Sequence, residues 1–562
     1  MAMLALVVFI TLIGTYVISD ALTRITAQVK IERDSRSLDA MQEAKAALIA
    51  WSASQAWTGN ATDQPGSLPC PDTTNDGSSD ISGGACLSQI GRLPWKTLNA
   101  RELRDASGEI LWYALSPNLR NASGVTVINS DTQGQLFLYS DKDSTTTATL
   151  STVVAFVIAP GIAVAGQARN ASGVNTAANY LEGRNSGATG NYTSTPQSPA
   201  SYPDTFNDQI LPLTHADLFS VVEQAVASRI ESDIKQYIAP ASGSSITSYF
   251  SQWGGFPFPA IFSNATYANG PGTSAQRAQT AYIGSTTTST SGGLLPLTTT
   301  GAYTWTTGSA TVTLTGGTAA SISGTTCSLV TGGMQCDFNI NPRLTGCCSY
   351  SMVNPQFRVS APIANVGLGF VDLPDDVSSG LSPRVTVTSP TTGNTRTMSG
   401  TSTTGSLSAT GAGTVIFQGT HVRNSTSSAA RAMRVTIPDV TTSSLTSSSD
   451  PFAGWFIRNE WYRQVYYAVS PGLQPGGGGG CSALPATPSC LTVNTLPSSY
   501  ASTTDKQAIL ILTGHSLNGS SRPSATLSNY LEGQNTTPTD FIYEHRAGVA
   551  SSINDRVVVI AP

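Results

Sequence analysis

Charge is what this chain has least of. Asp, Glu, Lys and Arg together make up 11% of its 562 residues, against about 25% in an ordinary soluble domain. Between Met1 and Ser19 there is no charged side chain at all. Beyond the N-terminal region Lys and Arg do not gather anywhere, and the net charge is -5, so the electrostatic footprint of a nucleic-acid binder is missing. The four histidines, His215, His421, His515 and His545, stand too far apart for a metal-protease motif. No G-x-S-x-G elbow and no phosphate loop occurs. The Ser232 to Lys235 S-x-x-K match falls inside an amphipathic helical pattern. These absences argue against the common catalytic classes. No C-x-x-C spacing exists, which argues against structural zinc. A basic stretch before the apolar start and a small-residue cleavage site after it are both lacking, so a secretory signal peptide does not fit.

What is present begins with MAMLALVVFITLIGTYVI, Met1 to Ile18. From Asp20 to about Trp57 the continuous apolar run becomes a stripe: Leu22, Ile25, Val29, Leu38, Met41, Leu48 and Ile49 recur at three, four and seven residues. Arg24, Lys30, Glu32, Arg33, Asp34, Arg36, Asp39, Glu43 and Lys45 take the other faces. The spacing predicts one helix, apolar over 1–18 and amphipathic over 19–57, roughly 80 Å long at 1.5 Å per residue. A plain single-pass anchor needs about 20 apolar residues, so the apolar part is just short of one.

The eight cysteines, Cys70, Cys86, Cys327, Cys336, Cys347, Cys348, Cys481 and Cys490, form local groups in loop-like sequence, which points to disulfides and an oxidising compartment. The expected pairs are Cys70 with Cys86 and Cys481 with Cys490. In the middle group the adjacent Cys347 and Cys348 either bond each other or reach back to Cys327 and Cys336.

A series of words occurs twice in the same order. The first copy runs GSLPCPD (66–72), GRLPWKTL (91–98), LWYALSPN (111–118), VVAFVIAPG (153–161), NYLEGRN (179–185) and FNDQILPLT (206–214). A second amphipathic helix follows over 215–238, with Leu218, Val221, Val222, Val226, Ile230, Ile234 and Tyr237 on one side. Then come GGFPFPA (254–260), GGLLPLT (292–298), VYYAVSPG (465–472), AILILTG (508–514), NYLEGQN (529–535) and INDRVVVIA (553–561). NYLEG[RQ]N agrees at six of seven positions. Runs such as VVAFVIA are buried-strand sequences and SPN, SPG and APG are turns, so each copy predicts a small antiparallel sheet packed on a helix. Between the copies' matching words lies a Thr/Ser/Gly-rich segment, 299–450, whose alternating runs predict an inserted β-sandwich-like domain. The expectation is an α+β chain: helix 1–57, first head 58–214, second head 215–298 with 451–562, and the insert 299–450.

The apolar start, its charged helical continuation, and the words LPCPD, LPW and WYALS resemble the large prepilin-like proteins of Gram-negative bacteria, the type IV pilin and pseudopilin family. The resemblance implies a subunit inserted first in the bacterial inner membrane, its short leader removed so that Met1 is the mature amino terminus. It is then built by inner-membrane assembly machinery into an extracellular filament of copies of itself. The buried filament core would then include Met1, Leu4, Leu6, Val7, Val8, Phe9, Ile10, Leu12, Ile13, Val17 and Ile18. Most such subunits carry an early glutamate where this chain has Ala5, a departure shared by the large minor pseudopilin of secretion-system tips. The alternative is a membrane-anchored surface adhesin with a surface or glycan ligand.

One loop suggests a cofactor. In CPDTTNDGSSD, Asp72, Asp76 and Asp80 fall at the first, fifth and ninth places of a calcium-loop pattern, although Thr74 takes the third and no closing glutamate follows. Several pseudopilins bind calcium. The competing reading is a turn-rich loop stapled by Cys70 and Cys86. The repeated Asn179, Tyr180, Glu182 and Asn185, with Asn529, Tyr530, Glu532 and Asn535, read as loop-holding hydrogen-bond groups. The aromatics Trp455, Phe456, Trp461, Tyr462, Tyr466 and Tyr467 read as core packing, with a sugar-stacking face as the rival.

Overall fold

The computed structural model describes residues 2–58, 64–120, 127–140, 148–170, 173–194, 206–237, 256, 259, 292–295, 455–456, 458–474, 480–517, 519–524, 526–546 and 552–561, together with strands between 302 and 441 given by their backbone pairing. The chain is α+β. It divides into two compact units, Met1–Val226 with Gly454–Glu460, and Ala227–Ala453 with Trp461–Pro562.

The first helix, α1 (Ala2–Thr58), is continuous, about 85 Å at 1.5 Å per residue. Its exposed surface carries i,i+4 ion pairs, Arg24 with Asp20 at 3.0 Å and Arg36 with Glu32 at 2.5 Å, worth a few tenths of a kcal/mol each. The face that packs starts later than the sequence stripe suggests. Leu22, Ile25, Val29 and Leu38 are exposed, and the buried positions are Ser37, Met41, Ala44, Leu48, Ser52, Gln55 and Ala56, a three-four spacing made partly of small and polar residues. The reason is the nearness of the sheet: alanine and serine let the helix backbone approach it closely. Around that face Lys45 Nζ donates to Asp217 (2.8 Å) and to the Pro212 carbonyl (3.1 Å). Arg101 forks onto Glu43, and the Ser37 hydroxyl accepts the Ala106 N–H at 3.1 Å.

The sheet under α1 has the order Ile90–Arg92, Trp112–Leu115, Ala155–Ala159, Gln209–Leu213, antiparallel throughout. Ala155–Ala159 and Gln209–Leu213 are the strands that meet the helix. A smaller three-stranded sheet orders Leu150–Val153, Leu136–Tyr139, Asn191–Thr193, the last pair parallel. Trp112, Phe156, Ile158, Tyr180, Leu181 and Tyr192 fill the core between the two. The helix α2 (His215–Tyr237) buries Leu218, Val222, Val226 and Ile230 as its spacing predicts and Phe219 in addition, while Val221 stays exposed; the side chains of Ile234 and Tyr237 lie outside the described residues. Residues 455–460, far along the chain, belong to this first unit. Asn459, fully buried, donates to Gln64 Oε1 (2.8 Å) and accepts the Ile128 N–H (3.1 Å), and its carbonyl accepts from Asn129 (2.9 Å).

In the second unit a four-stranded antiparallel sheet orders Gly292–Leu294, Val465–Val469, Ala508–Leu512, Arg556–Ala561. A parallel pair, Thr492–Asn494 with Ile542–Glu544, lies beside it. Tyr466, Leu491, Ile509, Ile511, Tyr530, Leu531, Tyr543 and Val559 share its core. Between 302 and 441 the described elements are all strands. Four form one antiparallel sheet, in the order Ala320–Val330, Gly333–Pro342, Arg431–Pro438, Gly369–Asp372, and six form another. Ala302–Tyr303 pairs with Val440–Thr441, so the two ends of this segment are hydrogen-bonded neighbours.

Candidate functional site

The most distinctive surface is the first half of α1. It is long and apolar enough to cross a membrane, and its described side chains stand in the open: Leu4 is 72% exposed, Leu6 58%, Phe9 63%, Val17 57% and Ile18 61%. Val7, Val8 and Ile13 are exposed as well. Met1 and the side chains of Ile10 and Leu12 lie outside the described residues. Contiguous apolar area on this scale marks a surface that meets lipid or another protein chain.

Both expected local disulfides are formed, Cys70–Cys86 and Cys481–Cys490. Cys327 and Cys336 are directly opposed register partners on neighbouring antiparallel strands. Cys347 and Cys348 lie outside the described residues.

The loop behind Cys70 is closed by its own backbone. Asp72 Oδ1 accepts the N–H groups of Thr74 (3.0 Å) and Asn75 (2.6 Å), and Oδ2 that of Gly77 (2.7 Å). Asp80 Oδ2 accepts from Thr73 N, Thr73 Oγ1 and Thr74 N, while Asp76 accepts from Ser78 N. These hydrogen bonds hold the Asp80 carboxyl below its ordinary value against a raising effect of burial. No group of three acidic, histidine or cysteine side chains close enough to hold a metal occurs among the described residues. Asp72 and Asp80 share the Thr74 N–H while Asp76 serves Ser78, so the described geometry does not bring all three carboxylates together and gives the calcium expectation no support. Gly77 sits at φ +86°, where a Cβ would lie 2.6 Å from the Trp95 ring, which accounts for glycine there without a metal.

The NYLEG words build a buried carboxyl pair in each unit. In the first, Asp208 Oδ2 accepts Glu182 N (2.8 Å) and Asn185 Nδ2 (2.9 Å), and Asn185 also ties down Thr193 through its own amide. Glu182 Oε2 accepts the N–H groups of Asn207 (3.0 Å) and Asp208 (3.1 Å), and Oε1 accepts from Gln167 (2.7 Å). Burial, with the neighbouring Glu182 charge, pushes Asp208 well above the carboxylate range. In the second unit Asp555 Oδ2 accepts Glu532 N (3.0 Å) and Asn535 Nδ2 (2.9 Å), and Glu532 Oε2 accepts Asn554 N (3.2 Å). Burial raises both of these acids, Asp555 by far the more. An arginine caps each loop: Arg169 donates to the carbonyls of Gly161, Asn179 and Tyr180, Arg522 to those of Gly514, Asn529 and Tyr530.

Sequence reasoning placed Glu182, Asn185, Glu532 and Asn535 correctly as loop-holding groups. It missed Asp208 and Asp555, although the shared ND of FNDQI and INDRV carried the signal. It missed Arg169 and Arg522 because they precede their NYLEG words by different spacings. The aromatics Trp455, Phe456, Trp461, Tyr462, Tyr466 and Tyr467 are all buried, so none offers a sugar-stacking face.

One further feature is a cleft of about 340 Å³ in the first unit, lined by Asp72, Thr73, Ser88, Arg92, Trp112 and Asn175 among others. Arg92 is only 4% exposed and lies between two rings, 4.3 Å from the Tyr180 centroid and 4.9 Å from that of Trp112. Burial draws its guanidinium below the usual range, an effect that Tyr180, Glu109 and Asp72 offset.

Comparison with protein-family models, with curated proteins and with solved structures finds no match.

Proposed function

We propose that this chain is a non-enzymatic structural subunit of an extracellular type IV pilus-like filament, held together by the apolar half of α1. The observation that carries the reading is the division of labour along one unbroken helix. Nearly all the described side chains from Met3 to Arg36 are exposed, and the first buried one is Ser37. Each exposed Leu, Val, Ile or Phe removed from water on assembly contributes about 1.5–3 kcal/mol, so a bundle of such helices has a strong drive to form. Before assembly the same segment fits a bilayer core of about 30 Å.

In this reading the two sheet units are copies of one head module, because the same strand order, buried Glu–Asp pair, Asn clasp and Arg cap recur in both. The segment 299–450 is a β domain inserted into the second copy and carried on the outside, where it meets a surface or glycan. The test is negative-stain microscopy of material sheared from the producing cells. Filaments decorated by an antibody to the heads, and lost when Phe9→Asp is introduced, are the expected result. A chain that stays with the membrane after shearing would overturn it.

The paired ends of the insert, Ala302–Tyr303 against Val440–Thr441, favour a second reading, an anchored adhesin or a tip-type minor pseudopilin whose β domain does the binding. That reading predicts that deleting 304–439 abolishes attachment, and that the protein is found in a few copies rather than along a filament.

A further inference from the structure

Arg92 is a buried cation with no counterpart in the second unit's sheet. Its strand pairs Ile90 with Ala114, Gly91 with Tyr113 and Arg92 with Trp112. In the second unit the matching edge strand pairs Gly292 with Ala468, Gly293 with Tyr467 and Leu294 with Tyr466. There the position opposite the aromatic is a buried leucine, in a sheet of the same strand order, with Tyr530 in the same core as Tyr466. One sheet therefore closes on an apolar side chain where the other carries a guanidinium, whose desolvation is costly.

Two donors beside this cleft lack acceptors. Arg92 Nε and Trp112 Nε1 are both buried, and neither has a hydrogen-bond partner among the described residues. The other guanidinium nitrogens make only backbone contacts, to Ile110 O at 3.4 Å and Val174 O at 3.1 Å. The nearby acids are committed elsewhere: Asp72 to the N–H groups of its own loop, Glu109 to Arg169 at 3.2 Å. Gly91 lets the loop backbone close over the strand, since a Cβ there would meet the Asp72 carbonyl at 2.5 Å.

We infer that this cleft is a binding site for a small monocarboxylate of sugar-acid size, its carboxylate held by Arg92 beside Trp112. Both unpartnered groups are donors, so a ligand that reaches them must supply acceptors, and a planar guanidinium matches a carboxylate fork. The buried Asp72 carboxylate lines the same cleft, and its charge disfavours a doubly charged phosphate more than a single carboxylate. Thr73, Ser88 and Asn175 line the same cleft and suit a hydroxylated ligand, and about 340 Å³ lies at the small end of ligand pockets. The site does not depend on filament assembly.

The test uses the full chain in detergent and D-glucuronate as probe, with D-glucose as the neutral control. Calorimetric titration should show saturable glucuronate binding, none with glucose, and at least a tenfold loss of affinity in Arg92→Leu, the residue the second unit already uses. On the unaltered protein, saturating glucuronate should slow amide hydrogen exchange several-fold in peptides covering 72–77 and 173–180 and leave that of 99–104 unchanged, which decides the matter even if the variant folds poorly. Equal binding of glucose, equal competition by inorganic phosphate, unchanged affinity in Arg92→Leu with its fold retained, or unchanged exchange at 72–77 and 173–180 would each overturn the assignment.

Discussion

The buried carboxyl pairs make a prediction whose sign depends on which oxygen is changed. In the first unit burial, with the neighbouring Glu182 charge, raises Asp208 well above the carboxylate range and so favours its protonated form, while its Oδ2 accepts two hydrogen bonds. Asparagine keeps an oxygen that accepts two donors and carries no charge. Asp208→Asn should therefore cost less than about 1 kcal/mol. Asp208→Ala leaves the Glu182 N–H and Asn185 Nδ2 without that acceptor, at about 1–3 kcal/mol for each buried group, roughly 2–6 kcal/mol together. Glu182→Gln belongs with the damaging change. Its two oxygens accept from Gln167, Asn207 and Asp208, so an amide NH2 on either side faces a donor, again about 1–3 kcal/mol.

The pH dependence follows from the same proton. Between the ordinary carboxylate value and the raised folded value, the folded chain holds a proton that the unfolded chain has released. Stability is therefore fullest below that window and declines as pH rises through it. Asp555 behaves likewise, so the double variant Asp208→Asn/Asp555→Asn should flatten the decline that both acids produce. The assay is hydrogen exchange with mass spectrometry from pH 4 to 8, followed on peptides covering 179–194 and 529–546, with exchange corrected for intrinsic rate. Asp208→Asn as disruptive as Asp208→Ala, or a double variant whose protection falls with pH as in the unaltered chain, would refute the reasoning.

Other outcomes test other parts of the structure. Leu48→Ala, at a fully buried position on α1, should destabilise the first unit by about 2–5 kcal/mol in thermal unfolding. Leu6→Ala should leave the head's melting unchanged and lower filament yield, because Leu6 is exposed. Non-reducing peptide mapping should recover a linked pair containing Cys327 and Cys336, since direct antiparallel partners lie within disulfide reach; both found as free thiols would contradict the register. Asn459→Ala removes the bonds to Gln64 and Ile128 and should cost about 2–4 kcal/mol, seen as faster exchange at residues 127–132.

How much of this was legible in the sequence depends on the range of the forces involved. The continuous helix, its apolar first half, the α+β class, the two local disulfides and the buried stripe of α2 follow from periodicity and spacing, which are properties of neighbouring residues. The NYLEG words were visible because identical residues recur, and their role as loop clasps follows from short polar side chains beside turns. The tertiary structure decided where α1 begins to pack. Leu22 and Ile25 look like a core stripe, yet no sheet reaches them, and the packing face is set by the small residues Ala44, Ser52 and Ala56. It showed that the carboxylates of Asp72, Asp76 and Asp80 accept backbone N–H groups of their own loop. The partnership of Asp208 with Glu182, the seat of Asn459 beside Gln64, and the place of Arg92 between Trp112 and Tyr180 join residues from 26 to 395 positions apart or on different strands. Local pattern carries no trace of such contacts, since they exist only once burial has removed the water that would otherwise satisfy each group alone.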